Sequence, residues 1–218
     1  EGNGSIFKIN ENFKEIWKVN YYNKKEKKLK PILYFAQNNQ SLLITDTLSK
    51  LYSVNLFSGE LEWSKENLSA FNSNVKIYKD RFIAIDFDNV IRCFSVKDGK
   101  ELWIFKAENS FIKSQKKLSL VIKGETVFFV NNLGDITALN VNDGSLIWQT
   151  PTQTNLIYQN AFTLEISDLV FANNSIFFSN NKNELFSIDA RTGIVNWKQK
   201  VNSALRPTII ENLIFSIS

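Results

Sequence analysis

Five tryptophans stand at positions 17, 63, 103, 148 and 197, and each closes a segment of the same kind. The clearest copy is IDARTGIVNW (188–197): two apolar positions, a polar stretch ending in Thr-Gly, and a second apolar run that ends on the indole. Weaker copies are VNLFSGELEW (54–63), FSVKDGKELW (94–103) and LNVNDGSLIW (139–148), with a shorter relative, INENFKEIW, at 9–17. The spacings between tryptophans are 46, 40, 45 and 49 residues. A period of that length means one supersecondary unit per copy, either propeller blades or helical repeats.

Strand signals choose between the two. Each period holds short runs rich in Val, Ile, Phe and Leu, separated by Gly, Asn or Asp turns. The third full period reads KLSLVIKG (117–124), ETVFFVNNLG (125–134), DITALNVNDG (135–144) and SLIWQT (145–150), and the next repeats that order. Spacing of 3.6 residues and helix caps are hard to find anywhere. Four antiparallel strands per repeat make a propeller blade, so the chain is expected to be all-β. Within the motif, the third strand reverses into the fourth through a tight turn. Gly59, Gly99, Gly144 and Gly193 supply the positive φ that such a turn needs. The tryptophan four residues later lies on the outer strand, where its ring is expected to wedge against the neighbouring blade and its N–H to meet a backbone carbonyl. At about 25 cal/mol per Å² over roughly 150–250 Å², each such ring contributes several kcal/mol.

Composition narrows the chemistry. With 44% hydrophobic and 22% charged residues the chain is of the globular kind, and no apolar run reaches the length of a membrane helix. Net charge +4 suits an acidic partner only weakly, and the abundance of Lys, Asn, Ile and Phe reads equally as AT-rich coding. No histidine is present, which excludes His-based triads, imidazole bases and His metal ligands. The one cysteine, Cys93, excludes an internal disulfide and a Cys-rich zinc site, and in VIRCFSV it reads as a small core residue.

The repeat resembles the tryptophan-docking motif of quinoprotein (PQQ-type) β-propellers, Ala-x-Asp-x-x-Thr-Gly-x-x-x-Trp. SIDARTGIVNW (187–197) departs from it only at Ser187, while ALNVNDGSLIW (138–148) keeps Ala138, Gly144 and Trp148. SVNLFSGELEW (53–63) and CFSVKDGKELW (93–103) keep glycine and tryptophan; the copy ending at Trp17 lacks the glycine and is one residue shorter. GSIFKIN opens the chain as a third strand, and RPTIIENLIFSIS ends it as the first and second strands of another blade. The expectation is one propeller domain over 1–218, with four whole blades and two half blades, cut at both ends. The resemblance implies an arc of a ring of seven or eight blades; joining the two halves into a fifth blade is the alternative.

Enzymes of the resembling family bind pyrroloquinoline quinone with calcium and commonly carry a vicinal cysteine pair, which is missing here. DFDN (86–89) offers oxygen ligands but lacks the length and glycine of an EF-hand loop, so it reads as a strand turn. Glu165 and Asp168 have nothing converging on them as an acid/base pair. No catalytic residue, metal ligand or cofactor is assigned. NKKEKKLK (23–30) is a solvated interblade loop, an anionic-membrane contact or, with Tyr21 and Tyr22, a nucleic-acid contact; the solvated loop is preferred and no nucleic-acid partner is assigned.

The longest interblade connections, 20–29, 107–116 and 151–165, share one face with the turns between second and third strands, and binding surfaces evolve on such loops. Among short non-enzymatic propellers the chain resembles the BamB family, lipid-anchored periplasmic scaffolds of outer-membrane β-barrel assembly. That resemblance implies contact with the POTRA domains of the barrel-assembly protein through loops bearing Phe111, Lys113, Tyr158 and Glu165. It also implies a periplasmic, outer-membrane-associated location, with membrane attachment only through a lipid anchor outside this chain. A fragment of a PQQ-dependent dehydrogenase and a ligand-sensing propeller module are the competing readings.

Overall fold

The computed structural model describes residues 2–108, 116–131, 133–152, 166–203 and 205–217. Chain contacts gather into two compact units, Glu1–Phe87 with Arg92–Leu102, and Asp88–Ile91 with Trp103–Ser218. The dividing line falls within the second blade.

The chain begins with a two-stranded antiparallel ribbon, β1 (Ile6–Ile9) and β2 (Glu15–Val19), followed by a short helix, α1 (Lys24–Lys28). The first full blade is β3 (Leu33–Gln37), β4 (Ser41–Asp46), β5 (Lys50–Asn55) and β6 (Leu61–Glu66). The second is β7 (Lys76–Tyr78), β8 (Arg81–Ile85), β9 (Val90–Ser95) and β10 (Glu101–Lys106). The third is β11 (Leu120–Lys123), β12 (Thr126–Val130), β13 (Ile136–Asn140) and β14 (Leu146–Thr150). The fourth is β15 (Val170–Ala172), β16 (Ser175–Asn180), β17 (Glu184–Asp189) and β18 (Val195–Lys200). A second ribbon, β19 (Thr208–Ile210) and β20 (Leu213–Phe215), follows. Every full blade is a four-stranded sheet in sequence order, and the two ribbons hold third-and-fourth and first-and-second strands respectively. The all-β propeller architecture expected from the repeat is the observed one.

Burial explains the composition of each strand. Second and third strands are covered on both faces and read as nearly continuous apolar runs, as in FFV of β12 and LFSI of β17, whereas fourth strands are exposed except near the tryptophan. In the first unit, Leu43, Leu51, Phe71, Phe82 and Phe94 form a core against which Trp63 packs. In the second, Phe128, Ala138, Trp148, Phe178 and Ile188 form another. The residue paired with each fourth-strand tryptophan is small in three blades: Ser53 opposite Trp63, Ala138 opposite Trp148 and Ser187 opposite Trp197. A β-bulge follows immediately in all three. Cys93 stands ten residues before Trp103, the same offset as those small residues. It is fully buried, and burial pushes its thiol up to about 12, which makes it an inert packing residue.

Two local features depart from the sequence reading. The lysine cluster contains a helix rather than only loop. Asn23 caps it, accepting from Lys25 N at 2.9 Å and Glu26 N at 3.0 Å, while the Glu26 side chain accepts from Asn23 N at 2.8 Å. The glycine-free turn between β1 and β2 closes because Phe13 takes the left-handed conformation, φ 58°, and Asn10 Oδ1 accepts from Asn12 N and Lys14 N.

Candidate functional site

The repeat motif builds one kind of joint four times. Gly59, Gly99, Gly144 and Gly193 all have positive φ, and a Cβ on any of them would fall 2.6–2.9 Å from the indole of Trp17, Trp63, Trp103 or Trp148 respectively. The indole Nε1–H then donates to the carbonyl three residues before the glycine: Leu56 at 3.3 Å, and Val96, Val141 and Ala190 at 3.0 Å each. Glycine therefore serves twice here, for its φ and for the missing side chain. Around Trp197 the environment differs. It lies beside Phe177 and lines a cavity of about 340 Å³ with Ile209 and Ile214 of the C-terminal ribbon.

The opposite strand ends carry a second repeated device that the sequence reading missed. Each turn from second to third strand begins with a buried Asx: Asp46, Asp86, Asn131 and Asn180. Three residues on, Ser49, Asn89, Gly134 and Asn183 have φ of 71°, 56°, 91° and 61°. At Asp46, Asn131 and Asn180 the Oδ1 accepts two backbone N–H groups, from Leu48 and Lys50, Leu133 and Asp135, and Lys182 and Glu184 respectively. The left-handed residue turns its carbonyl toward the segment leaving the blade, which latches onto it. Asn67 N donates to Ser49 O at 2.7 Å, Ala107 N to Asn89 O at 3.1 Å, Thr152 Oγ1 to Gly134 O at 2.7 Å and Val201 N to Asn183 O at 2.9 Å. The signal was present as Asx-x-x-(Ser/Asn/Gly), a pattern visible only when the blades are aligned on one another.

The remaining Asx atom is neutralised according to its charge. Asp46 Oδ2 accepts from the Tyr22 hydroxyl, which lies 3.4 Å from that of Tyr52. Burial raises the Asp46 carboxyl above its ordinary range and raises both phenols. Asp86 Oδ2 accepts from Arg92 Nε at 2.9 Å, and Arg92 Nη1 donates to Glu101 at 2.7 Å. Burial opposes the charge on Arg92, but the two carboxylates outweigh it and hold its pKa above the ordinary value. Where the residue is Asn, its amide instead donates to an acid four positions on, Asp135 at 3.3 Å and Glu184 at 2.9 Å. Burial raises Asp135, whereas for Glu184 the opposing effect of burial is overcome by Asn180 and Lys198.

These contacts account for one of the sequence candidates. Asp86, in DFDN, is the buried partner of Arg92. Asp168 is half-exposed and lies 3.9 Å from Lys117, while Glu165 lies outside the described residues. Among the described residues no group of three or more His, Cys, Asp or Glu side chains is placed to hold a metal ion. Phe111, Lys113 and Tyr158, like Glu165, are outside the described residues.

Four-stranded meanders joined by an indole set on a turn glycine define a β-propeller of PQQ-like repeats. The profile of the family described as outer membrane protein assembly factor BamB matches residues 2–218, and the chain belongs to that family. The crystal structure of BamB from Moraxella catarrhalis is similar, with a TM-score of 0.80 at 15% sequence identity, covering 97% of this chain and 63% of that one. The computationally designed Ika8 protein is similar at a TM-score of 0.65 and 13% identity, covering 84% of this chain and 54% of that one. At such identities the likeness is one of fold, and this chain spans less than two thirds of either structure's length. Among curated proteins no match is found.

Proposed function

We propose that the chain is a non-catalytic scaffold of the BamB type, acting in the periplasm at the outer membrane during β-barrel protein assembly. The observation that carries this reading is the family match along residues 2–218. The latched strand ends support it physically. Their buried acids, Asp46 and Asp86, are consumed by internal donors, while exposed apolar groups such as Leu68 (96% exposed) stand on the connections. This arrangement suits contact with another protein better than turnover of a substrate. The partner is a POTRA domain of the barrel-assembly protein, met by the connections bearing Phe111, Lys113, Tyr158 and Glu165, and attachment to the membrane is through a lipid anchor outside this chain. Co-purification of the full-length protein from envelope extract tests the reading. Recovery of the barrel-assembly protein, lost with Phe111→Ala/Lys113→Ala, is the expected result. Its absence, with a bound quinone or calcium in its place, refutes the scaffold.

A further inference from the structure

We infer that the connection from β2 to β3, residues 23–32, is a docking surface for an anionic lipid headgroup layer. The capped helix sorts its charges by face. Glu26, the one acid of the cluster, is turned inward, held by Asn23 N at 2.8 Å and by Lys50 Nζ at 2.6 Å. Successive helical residues are about 100° apart, so fixing Glu26 inward sends Lys24 and Lys28 to the opposite side. Lys24, Lys25, Lys28 and Lys30 are exposed, and among the described residues none of them has an ion pair. Two aliphatic side chains stand out on the same connection, Leu29, between Lys28 and Lys30 in sequence, at 66% and Ile32, two residues past Lys30, at 59% exposure.

The combination selects among acidic partners. Nucleic acid calls for aromatic platforms interleaved with the cations. Here the two candidates are spent: the Tyr21 hydroxyl donates to Gly59 O and Tyr22 is buried on Asp46. Four exposed lysines flanking exposed aliphatic groups fit an interface in which ammonium groups meet phosphates while short apolar groups enter the acyl boundary. The surface is braced: Lys50 holds the helix, and Ile32 and Thr47 exchange hydrogen bonds, Ile32 N to Thr47 Oγ1 at 3.0 Å and Thr47 N to Ile32 O at 3.2 Å. Vesicle binding of this kind needs no protein partner, so it stands or falls separately from the scaffold reading.

The test is co-sedimentation of the whole chain with vesicles rich in phosphatidylglycerol, against vesicles of phosphatidylcholine alone, at low and high salt. Binding is expected only to the anionic vesicles and is weakened by salt. Lys24→Gln/Lys25→Gln/Lys28→Gln should lower partitioning about a hundredfold, near fivefold per lysine. Lys65→Gln/Lys97→Gln/Lys100→Gln, which removes the same charge from other exposed positions, should leave it within a few-fold, and Leu29→Ser should reduce the part that survives high salt. Equal losses in the two triple variants would overturn the inference by reducing it to net charge. Capture of poly-glutamate without binding to anionic vesicles would also overturn it, in favour of an acidic polypeptide surface.

Discussion

Gly144→Ala is the perturbation that most directly probes the indole joint. An alanine Cβ at position 144 would fall 2.6 Å from Cε3 and 2.7 Å from Cδ2 of Trp103, on a backbone with φ +74°. Gly124, on the β11–β12 turn of the same blade, provides the control: its φ is +57° and a Cβ there meets nothing within 4 Å. Both substitutions carry the left-handed penalty of about 1–2 kcal/mol. Gly144→Ala adds the cost of overpacking against a ring, about 1–3 kcal/mol, and pulls Trp103 Nε1 from Val141 O. The expected losses are therefore roughly 2–5 kcal/mol for Gly144→Ala and about 1–2 kcal/mol for Gly124→Ala. Urea unfolding followed by circular dichroism and tryptophan fluorescence resolves this, since at a slope of about 2 kcal/mol per molar the two midpoints separate by roughly 0.5–1.5 M. In a Trp103→Ala background the extra cost of Gly144→Ala should vanish. Equal losses for the two glycines, or an undiminished cost without the indole, would refute the joint as the origin of the repeat.

Arg92→Met leaves Asp86 fully buried without its cation and should cost about 3–5 kcal/mol in denaturant unfolding; adding Asp86→Asn, the residue type used in the third and fourth blades, should restore most of that. Asp46 binds its proton more tightly folded than unfolded. Its contribution to stability therefore falls as pH rises from the ordinary aspartate range through the raised folded value, and Asp46→Asn should remove that fall from a pH series of unfolding midpoints. Phe13→Gly places glycine at φ 58° on a side chain that is 84% exposed and should raise stability by about 0.5–1 kcal/mol in thermal unfolding; a loss would mean that the ring packs in solution.

Much of this architecture was legible because it is written in glycine and tryptophan, residues whose backbone freedom and bulk have few substitutes. The strand limits around Gly144 and Trp148 follow directly from their positions. The left-handed turn at Phe13 was hidden because its residue type argues against it, and Asn10 overrides that preference through two side-chain hydrogen bonds. Helix α1 was hidden for another reason. Five residues are too few for periodicity to register, and its capping box, Asn23 with Glu26, is submerged among lysines. The latch at Asp46, Asp86, Asn131 and Asn180 was missed because Asp and Asn interchange there, each with a different neutralising partner, so that no single motif repeats. The partner-facing expectations at Phe111, Lys113, Tyr158 and Glu165 rest on family resemblance, for which no spacing rule within the chain substitutes.

The indole of one blade recognises two things in the next, a main-chain carbonyl and the absence of a side chain. Neither depends on what the other turn residues are. Asn-Leu-Phe-Ser, Ser-Val-Lys-Asp, Asn-Val-Asn-Asp and Asp-Ala-Arg-Thr all precede a docked glycine here. Such a coupling is generic in the way a standard thread is generic: any copy fits any neighbour. At this joint a unit can therefore be duplicated, deleted or shuffled with its coupling intact, provided the residue four positions before the glycine still caps the turn, as Asn55, Asn140 and Asp189 do.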